Sequence, residues 1–136
     1  MKCYIASKSK HYRLWQELRA AGVPIVASWI DWSYNGDQRE PSADEWREHW
    51  DKCIFEAAGA DVTLFVNNEG ETACGALIEV GAALAAGRQV FIVSNHWWSV
   101  SHHPRCRVFP SVEAAIAALI AMQEGERAKY SVQNYD

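Results

Sequence analysis

The chain has 136 residues, of which 49% are hydrophobic and 22% charged, and its formal net charge is −4 at pH 7. This length suits one domain with a sizeable core, and the composition is that of an ordinary globular protein. The negative charge argues against non-specific binding to nucleic acid or to an acidic membrane, so we expect neither a nucleic acid polymer nor a membrane as a partner.

The sequence carries no export or membrane signal that we can identify. No apolar run reaches the length of a membrane span, and the first residues lack the apolar core of a signal peptide. The four cysteines are scattered without metal-type pairing, which favours reduced thiols. We therefore expect a cytoplasmic protein.

Strand and helix signals alternate from the start of the chain. Cys3–Ala6 is a short apolar strand, and His11–Ala21 carries a helical stripe of apolar residues. A second strand is predicted over Val23–Ile30, and its proline lies near the start, where a missing amide donor is tolerated. A polar loop, Asp31–Pro41, follows.

The middle of the chain predicts a helix, a strand and a second helix. Ser42 and Glu45 have the spacing of a capping box, so we expect a helix from there to about Ala58. Asp61–Val66 is a third apolar strand. The alanine-rich run Thr72–Gly87 predicts a helix, since alanine and leucine are strong helix formers.

Two further strands and a helix complete the pattern. Gln89–Val93 and Arg107–Phe109 are the predicted strands, and a helix with apolar residues at core spacing starts at Pro110. From about Glu124 the sequence is polar. We therefore divide the chain into a domain over 1–123 and a polar C-terminal tail over 124–136, which is either mobile or reaches a neighbouring subunit.

Apolar strands separated by helices are typical of an α/β protein with a parallel sheet covered on both faces. We expect about five strands in a three-layer sandwich. Ligands of such folds gather outside the carboxyl ends of the strands, at the switch in strand order. Four loops qualify for that edge: 7–10, 29–41, 67–75 and 94–105.

Glu79 is the one charged residue between Thr72 and Gly87. A helix that is apolar on nearly every side belongs inside a protein, where a carboxylate is costly unless it is paired or lines a pocket. Glu79 also follows the third of the four loops by about one helical turn. It is the first candidate for chemistry, against the alternative of a carboxylate that reaches the surface or accepts hydrogen bonds from backbone amides.

The run from Gly75 to Val90 resembles the signature of the nucleoside 2-deoxyribosyltransferase-like family. In that signature a glycine precedes a glutamate by four residues, and a second glycine follows two residues later. Tyr4–Ser7, Ser28–Asp31 and Ala60–Val62 agree with the family in the expected order, and the similarity spans roughly residues 3–120.

Members of that family cleave the N-glycosidic bond of nucleosides or nucleotides. The resemblance implies a flavodoxin-like, Rossmann-like sheet, no metal, no organic cofactor, a small nucleoside or nucleotide substrate, and Glu79 as the carboxylate that attacks the anomeric carbon. The chemistry suits that role, because a fixed anion stabilises an oxocarbenium-like transition state and then forms a glycosyl ester. Water or a second nucleobase would resolve the ester, giving hydrolysis or transfer.

Other candidate site residues lie at strand ends and in the predicted loops. The substrate-binding candidates are Ala6, Ser7, Lys8, Trp29, Asn67 and Gly75. Asp31 ends a predicted strand and is a candidate for the acid that protonates the leaving base, against the alternative of a solvated turn residue. Ser7, Lys8 and Lys10, together with the helix start near Gly75, are candidates for a 5′-phosphate site, although exposed lysines are usually only solvated.

Two positions depart from the family pattern. Better-known transferases hold the base with an aspartate on the helix before the third strand, and by offset from Asp61 this chain has Cys53 there, with Asp51 the nearest carboxylate. They also carry an aspartate or a serine about six residues before the glutamate, where this chain has Ala73. The resemblance therefore leaves base recognition and leaving-group protonation open. Asp61 itself is expected to order the turn into the third strand.

Seven tryptophans are present. Trp29, Trp32, Trp97 and Trp98 fall in the predicted ligand-side loops and are candidates to stack on a base, against an ordinary packing role. Trp46 and Trp50 are more simply core or interface residues, since they lie four residues apart on one helix.

One cluster has the residue types of a metal site: His96, His102, His103 and Cys106. Zinc accepts histidine and cysteine, but the spacing matches no standard site. A mobile loop over the pocket or a surface turn is the preferred interpretation.

Two other functions remain open beside the favoured one. The first is a binding module that keeps the fold without turnover, which the residues at Cys53 and Ala73 favour. The second is a TIR-like NAD hydrolase, which also relies on a glutamate. The family resemblance further suggests a homodimer or a larger homo-oligomer, in which Asn134 and Tyr135 of the tail are candidates to complete a neighbour's pocket.

Overall fold

Parallel strands and helices alternate along residues 1–135, which the computed structural model describes; of residues 132–135 it describes the backbone alone. The strands are β1 (Cys3–Ala6), β2 (Val62–Asn67), β3 (Gln89–Ser94) and β4 (Cys106–Val108), and the helices are α1 (Tyr12–Ala20), α2 (Ala43–Gly59), α3 (Gly75–Ala85) and α4 (Val112–Tyr135). Short 3₁₀ turns span Ser9–His11, Ser28–Asp31 and Ser99–His102.

The capping box predicted at the start of α2 is confirmed. The Ser42 hydroxyl accepts a hydrogen bond from the Glu45 amide at 3.1 Å, and the Glu45 carboxylate accepts one from the Ser42 amide at 3.0 Å. These contacts satisfy amides that the first helical turn leaves unpaired. They fix the start of a helix that carries part of the site described below.

All four strands run parallel in the order β1-β2-β3-β4. Every residue of β1 and β2 is buried, as expected for a sheet covered on both faces. Asp61 orders the turn into β2, because its carboxylate accepts a hydrogen bond from the Lys2 amide at 2.7 Å. The α/β class with a parallel sheet is therefore confirmed.

The prediction of a strand over Val23–Ile30 is wrong, and the sheet has four strands instead of about five. This segment makes one isolated parallel bridge, between Ile25 and Cys3, and then turns into the 3₁₀ helix at Ser28–Asp31. Pro24 has no amide to donate, and the Ile25 amide bonds within its own segment to the Val23 carbonyl. The chain thus reaches the sheet edge without extending a ladder along it.

Strand order reverses at β1. The segment around Ile25 meets β1 on one side, whereas β2, β3 and β4 extend from its other side. Right-handed crossovers then place α1 on one face of the sheet and α2 and α3, which pack against each other, on the opposite face. This is the flavodoxin-like arrangement, in which the ligand crevice opens between the two strands at the switch point.

The last helix is longer than the sequence pattern predicts. α4 continues past residue 124 to Tyr135 without a break, so no change in secondary structure marks the start of the predicted tail. The division at residue 124 remains a prediction. The side chains of Asn134 and Tyr135 lie outside the described residues. Within residues 1–135, none of the helices combines the length and the apolar character that crossing a membrane requires.

Candidate active site

A cavity of about 350 Å³ opens at the carboxyl ends of β1 and β2, where the strand order reverses. Three of the four predicted loops line it, together with one face of α2 and the first turn of α3. Its lining includes Ser7, Lys8, Trp29, Trp32, Tyr34, Asp37, Arg39, Glu40, Trp46, His49, Trp50, Cys53, Asn67, Ala73, Cys74, Gly75 and Glu79. The location agrees with the rule for ligand sites in open α/β sheets.

Glu79 lies on the wall of this cavity, one turn into α3, and is 8% exposed. Among the residues that the structure describes, its Oε2 atom is enclosed without a hydrogen-bond partner. Burial disfavours the charged form and raises the pKa of Glu79 to about 8, with the Tyr4 hydroxyl acting in the opposite direction and the charge of Glu56 adding to the rise. A carboxylate in this setting is available to a ligand.

Glu71 is a second buried carboxylate, and it differs from Glu79 in having a structural role. Its side chain is 6% exposed, yet it accepts hydrogen bonds from the Asn68 amide at 2.8 Å and from His11 at 2.6 Å. Although burial opposes ionisation, these bonds hold the pKa of Glu71 below its usual range. Glu71 is thus fully engaged in tying the loop after β2 to the turn after β1, whereas Glu79 is not engaged.

Gly75 allows α3 to start close to α2. A Cβ atom at this position would lie 2.9 Å from the Trp50 ring, which is closer than side chains pack. The glycine therefore sets the approach of the two helices at the mouth of the cavity. The tertiary structure thus gives a steric reason for a glycine at this position of the sequence pattern.

Four more of the predicted binding residues line the cavity: Ser7, Lys8, Trp29 and Asn67. Ser7 accepts a hydrogen bond from the Trp15 indole at 2.8 Å, and the Trp29 indole donates to the Ile5 carbonyl at 2.7 Å, so both side chains are held by the core. Asn67 ends β2 and is 6% exposed. The structure thus brings the ends of β1 and β2 to one place.

Three predicted site residues lie elsewhere, and we correct their placement. Asp31 is not among the lining residues; its side chain is 52% exposed and forms a two-pronged pair with Arg19 at 2.7 Å, which lowers the pKa of Asp31. Ala6 is wholly enclosed in the core. Lys10 pairs with Glu71 at 3.4 Å and does not line the cavity. Asp31 is thus one partner of an ion pair on the protein surface.

Five ring-bearing side chains line one part of the cavity and form what we call the aromatic wall: Trp32, Tyr34, Trp46, His49 and Trp50. Of these, the sequence predicted only Trp32 as a ligand contact. The His49 ring stacks on Trp32 with centroids 3.7 Å apart and planes at 10°, and the Trp46 and Trp50 rings lie nearly perpendicular to it, at 73° and 72°. The signal was the spacing of 46, 49, 50 and 53, which share one helical face. Periodicity alone does not tell a cavity face from a core face.

Cys53, which stands where the family pattern has an aspartate, lies at the inner end of that face. It is 2% exposed, its sulfur is 3.7 Å from His49 Nε2, and it lies beside the Tyr4 hydroxyl. Burial raises the pKa of the Cys53 thiol to about 11. Within the described residues, the Tyr4 hydroxyl has no completed hydrogen bond. Glu79, Cys53 and His49 therefore line the cavity, and the enclosed Tyr4 hydroxyl lies behind them beside Glu79 and Cys53.

The fourth predicted loop lies apart from this cavity. Trp97 and Trp98 line a separate hollow of about 220 Å³ with Ser94 and His96. Ser94 accepts a hydrogen bond from the Trp98 indole at 3.0 Å. Across the part of the chain that the structure describes, no three histidine, cysteine or acidic side chains gather as a metal site would require.

Solved structures share this architecture. The 2-deoxyribosyltransferase of Bacillus psychrosaccharolyticus superposes with a TM-score of 0.65 at 18% identity, over 88% of this chain and 96% of the other. The chain has the fold of the 2-deoxyribosyltransferases. The 2-deoxyribosyltransferase of Leishmania mexicana gives a TM-score of 0.58 at 17% identity, over 88% of this chain and 97% of that one.

A glycosidase shares this deoxyribosyltransferase fold as well. The CMP N-glycosidase of Clostridium botulinum superposes with a TM-score of 0.53 at 14% identity, over 89% of this chain and 99% of that one. No family model and no curated protein matches the sequence itself. At these identities the likeness concerns the fold, and the chemistry has to be argued from the site.

Proposed function

We propose that this protein is an enzyme that cleaves the N-glycosidic bond of a nucleoside or nucleotide, by hydrolysis or by deoxyribosyl transfer, with Glu79 as the nucleophile. The observation that carries the proposal is the unpaired, buried carboxyl group of Glu79 on the wall of a cavity at the switch point of the sheet. The sequence resemblance and the neighbours named above, two deoxyribosyltransferases and a CMP N-glycosidase, support the same reaction class.

The proposed reaction uses the carboxylate of Glu79 in two steps. An ionised Glu79 oxygen beside the anomeric carbon stabilises positive charge as the bond to the base breaks, and then bonds to that carbon as a glycosyl ester. Water or a second base displaces Glu79 in the next step. The aromatic wall offers rings on which a base would stack, and Lys8 and Ser7 at the end of β1 stand where a polar sugar or phosphate group would reach them.

Replacement of Glu79 tests the proposal. The purified protein is incubated with a panel of deoxynucleosides, ribonucleosides, their 5′-monophosphates and NAD, and free base is measured by chromatography. We expect base release from a nucleoside or nucleotide, and a loss of kcat/KM of about a thousandfold or more in Glu79→Gln, because a nucleophile acts only in the chemical step. Glu17→Gln is the matched control, since Glu17 is exposed on α1.

Other outcomes would contradict this function. Ligand binding without base release would favour the binding module, for which Cys53 and Ala73 on the lining of the cavity are the specific observation. Release from NAD alone would favour a NAD hydrolase. A homodimer or larger assembly, and a cytoplasmic location, remain part of this proposal; the measured mass in solution tests the first of them.

A further inference from the structure

His49 reaches the same cavity as Glu79 from the neighbouring helix. Its ring is held flat on Trp32, with centroids 3.7 Å apart and planes at 10°. Nε2 is 3.7 Å from the Cys53 sulfur, one helical turn further along α2. The imidazole therefore has a fixed plane and a fixed polar neighbour, which a positioned proton donor requires.

The other lining groups that carry protons suit that role less well. The Cys53 thiol, with its pKa raised to about 11 by burial, holds its proton too tightly near neutral pH. The Asp37 carboxylate is paired with Arg39 at 2.8 Å, which holds its pKa low, so it has no proton to give. The Tyr34 hydroxyl donates to Glu45 at 2.6 Å. Histidine is the side chain that exchanges protons near neutral pH.

We propose that His49 is the residue that protonates the leaving base in the reaction assigned above to Glu79, an assignment that rests on the proposed function. His49 thus takes the role for which the sequence offered Asp31. A base that leaves as an anion is a poor leaving group, so a proton delivered in the transition state speeds the step by roughly 10² to 10⁴.

The step balances as follows. A Glu79 oxygen forms a bond to the anomeric carbon while the bond from that carbon to the base nitrogen breaks, and the electron pair of that bond stays with the base. The His49 imidazolium gives its proton to the base, which leaves neutral, and becomes a neutral imidazole. In the second step water, or the N–H of an incoming base, gives its proton to His49 as its oxygen or nitrogen displaces Glu79 from the sugar.

The mechanism requires one proton in total on Glu79 and His49. Burial lowers the pKa of His49 below its ordinary 6.5, with the charge of Lys52 adding to the effect, and burial raises that of Glu79 to about 8. Between those pH values the two residues together hold one proton, which lies mainly on Glu79 because its pKa is the higher; the reactive form, with Glu79 ionised and His49 protonated, is the minor arrangement of that proton. The other titratable or charged groups on the cavity are Lys8, Tyr34, Asp37, Arg39, Glu40, Cys53 and Cys74.

A substrate that needs no proton separates this role from a structural one. For a purine substrate the probe is the N7-methylated nucleoside or nucleotide, whose base leaves neutral; for a pyrimidine it is the 4-nitrophenyl glycoside of the same sugar. We expect His49→Gln and His49→Phe to lose at least about a hundredfold in kcat/KM on the ordinary substrate and less than about threefold on the activated one. His49→Phe keeps a flat ring against Trp32.

The pH dependence gives an independent readout. Wild-type kcat/KM on the ordinary substrate should be bell-shaped, falling below the pKa of His49, where the pair holds two protons, and above about 8, where it holds none. On the activated substrate, His49→Gln should show a single rise through about 8. His102→Gln, on an exposed histidine of the separate hollow's loop, is the control and should keep the wild-type profile.

The outcomes distinguish the two proposals. Equal losses on ordinary and activated substrates in both His49 variants would overturn the assignment of His49 and leave that of Glu79 intact. Full activity of both variants on the ordinary substrate would also overturn it. If the wild-type protein releases no base from any substrate, the proposed function fails and the His49 assignment fails with it.

Discussion

Glu79 lowers the stability of the folded protein at neutral pH. Its pKa in the folded state is about 8, whereas the ordinary value for an exposed glutamate is 4.5. Between those pH values the unfolded chain has lost a proton that the folded protein keeps, so the free energy of unfolding falls as pH rises. The stability that the protonated carboxyl group of Glu79 preserves is fully present below about pH 4.5 and is lost progressively until about pH 8. A carboxylate with a lowered pKa, such as the paired Glu71, has the opposite pH dependence: it stabilises the folded protein, and this stabilisation is lost as pH falls.

Glu79→Gln should therefore stabilise the protein progressively as pH rises. An amide cannot ionise, so the gain over wild type should grow from pH 5 to pH 8 and reach at most about 5 kcal/mol, since one pKa unit corresponds to about 1.4 kcal/mol. Thermal or urea unfolding of both proteins at several pH values measures it. A gain that does not change with pH, or a loss that grows with pH, would show that Glu79 is ionised and paired in the folded state.

At the scale of elements, the site depends on how closely α2 approaches α3. Both helices contribute to the cavity, α2 through Trp46, His49, Trp50 and Cys53, and α3 through Gly75 and Glu79. The Trp50 ring of α2 packs so near Gly75 of α3 that a Cβ atom there would lie 2.9 Å from it. The capping box at Ser42 fixes where α2 begins. A local sequence signal and a steric contact thus help to position the residues that line the cavity.

Gly75→Ala should disturb this approach, because the added methyl carbon would lie 2.9 Å from the Trp50 ring. We expect a loss of about 1 to 3 kcal/mol in stability from overpacking and a raised KM, measured by unfolding and steady-state kinetics. Gly81→Ala, on the same helix, is the matched control: its added methyl carbon would meet nothing within 4 Å, so it should be neutral or stabilising by up to about 1 kcal/mol. Equal behaviour of the two variants would contradict the steric argument.

At the scale of the whole molecule, stability should be unevenly distributed over the sheet. β2 and β3 are each paired on both sides and, but for the ends of β3, buried. β4 has three residues, and the segment around Ile25 has a single bridge to the sheet. Elements with few buried backbone hydrogen bonds open more readily than a central ladder.

Amide hydrogen exchange should reproduce this order. We expect the slowest exchange in Val62–Asn67 and in the central residues of β3, and exchange at least about tenfold faster over residues 23–31 and in β4. Mass spectrometry of peptic peptides, with time points from seconds to hours, measures the rates. Protection of residues 23–31 equal to that of β2 would mean that this segment behaves as a fifth strand after all.

The sequence alone determined the class of fold and the first candidate residue. Apolar runs, glycine stops and a capping box are local signals, so the strands β1, β2 and β3 and the helices α1, α2 and α3 were predicted within a few residues, whereas the end of α4 was not. A lone charge in an apolar helix also pointed to Glu79 before any contact was known. The strand predicted over Val23–Ile30 is limited to one bridge, because Pro24 has no amide and the chain turns at Ser28, so that the Val26 amide alone donates to β1.

Only the tertiary structure decided which side chains share the cavity. Asp31 is close to the end of its segment in sequence, but Arg19 of α1 draws its carboxylate to the surface. His49 and the tryptophans of α2 form a stripe that suits a core equally well, and the shape left between α2, α3 and the ends of β1 and β2 makes them a wall. Periodicity reports which residues share a face, whereas the packing of distant segments determines what that face meets.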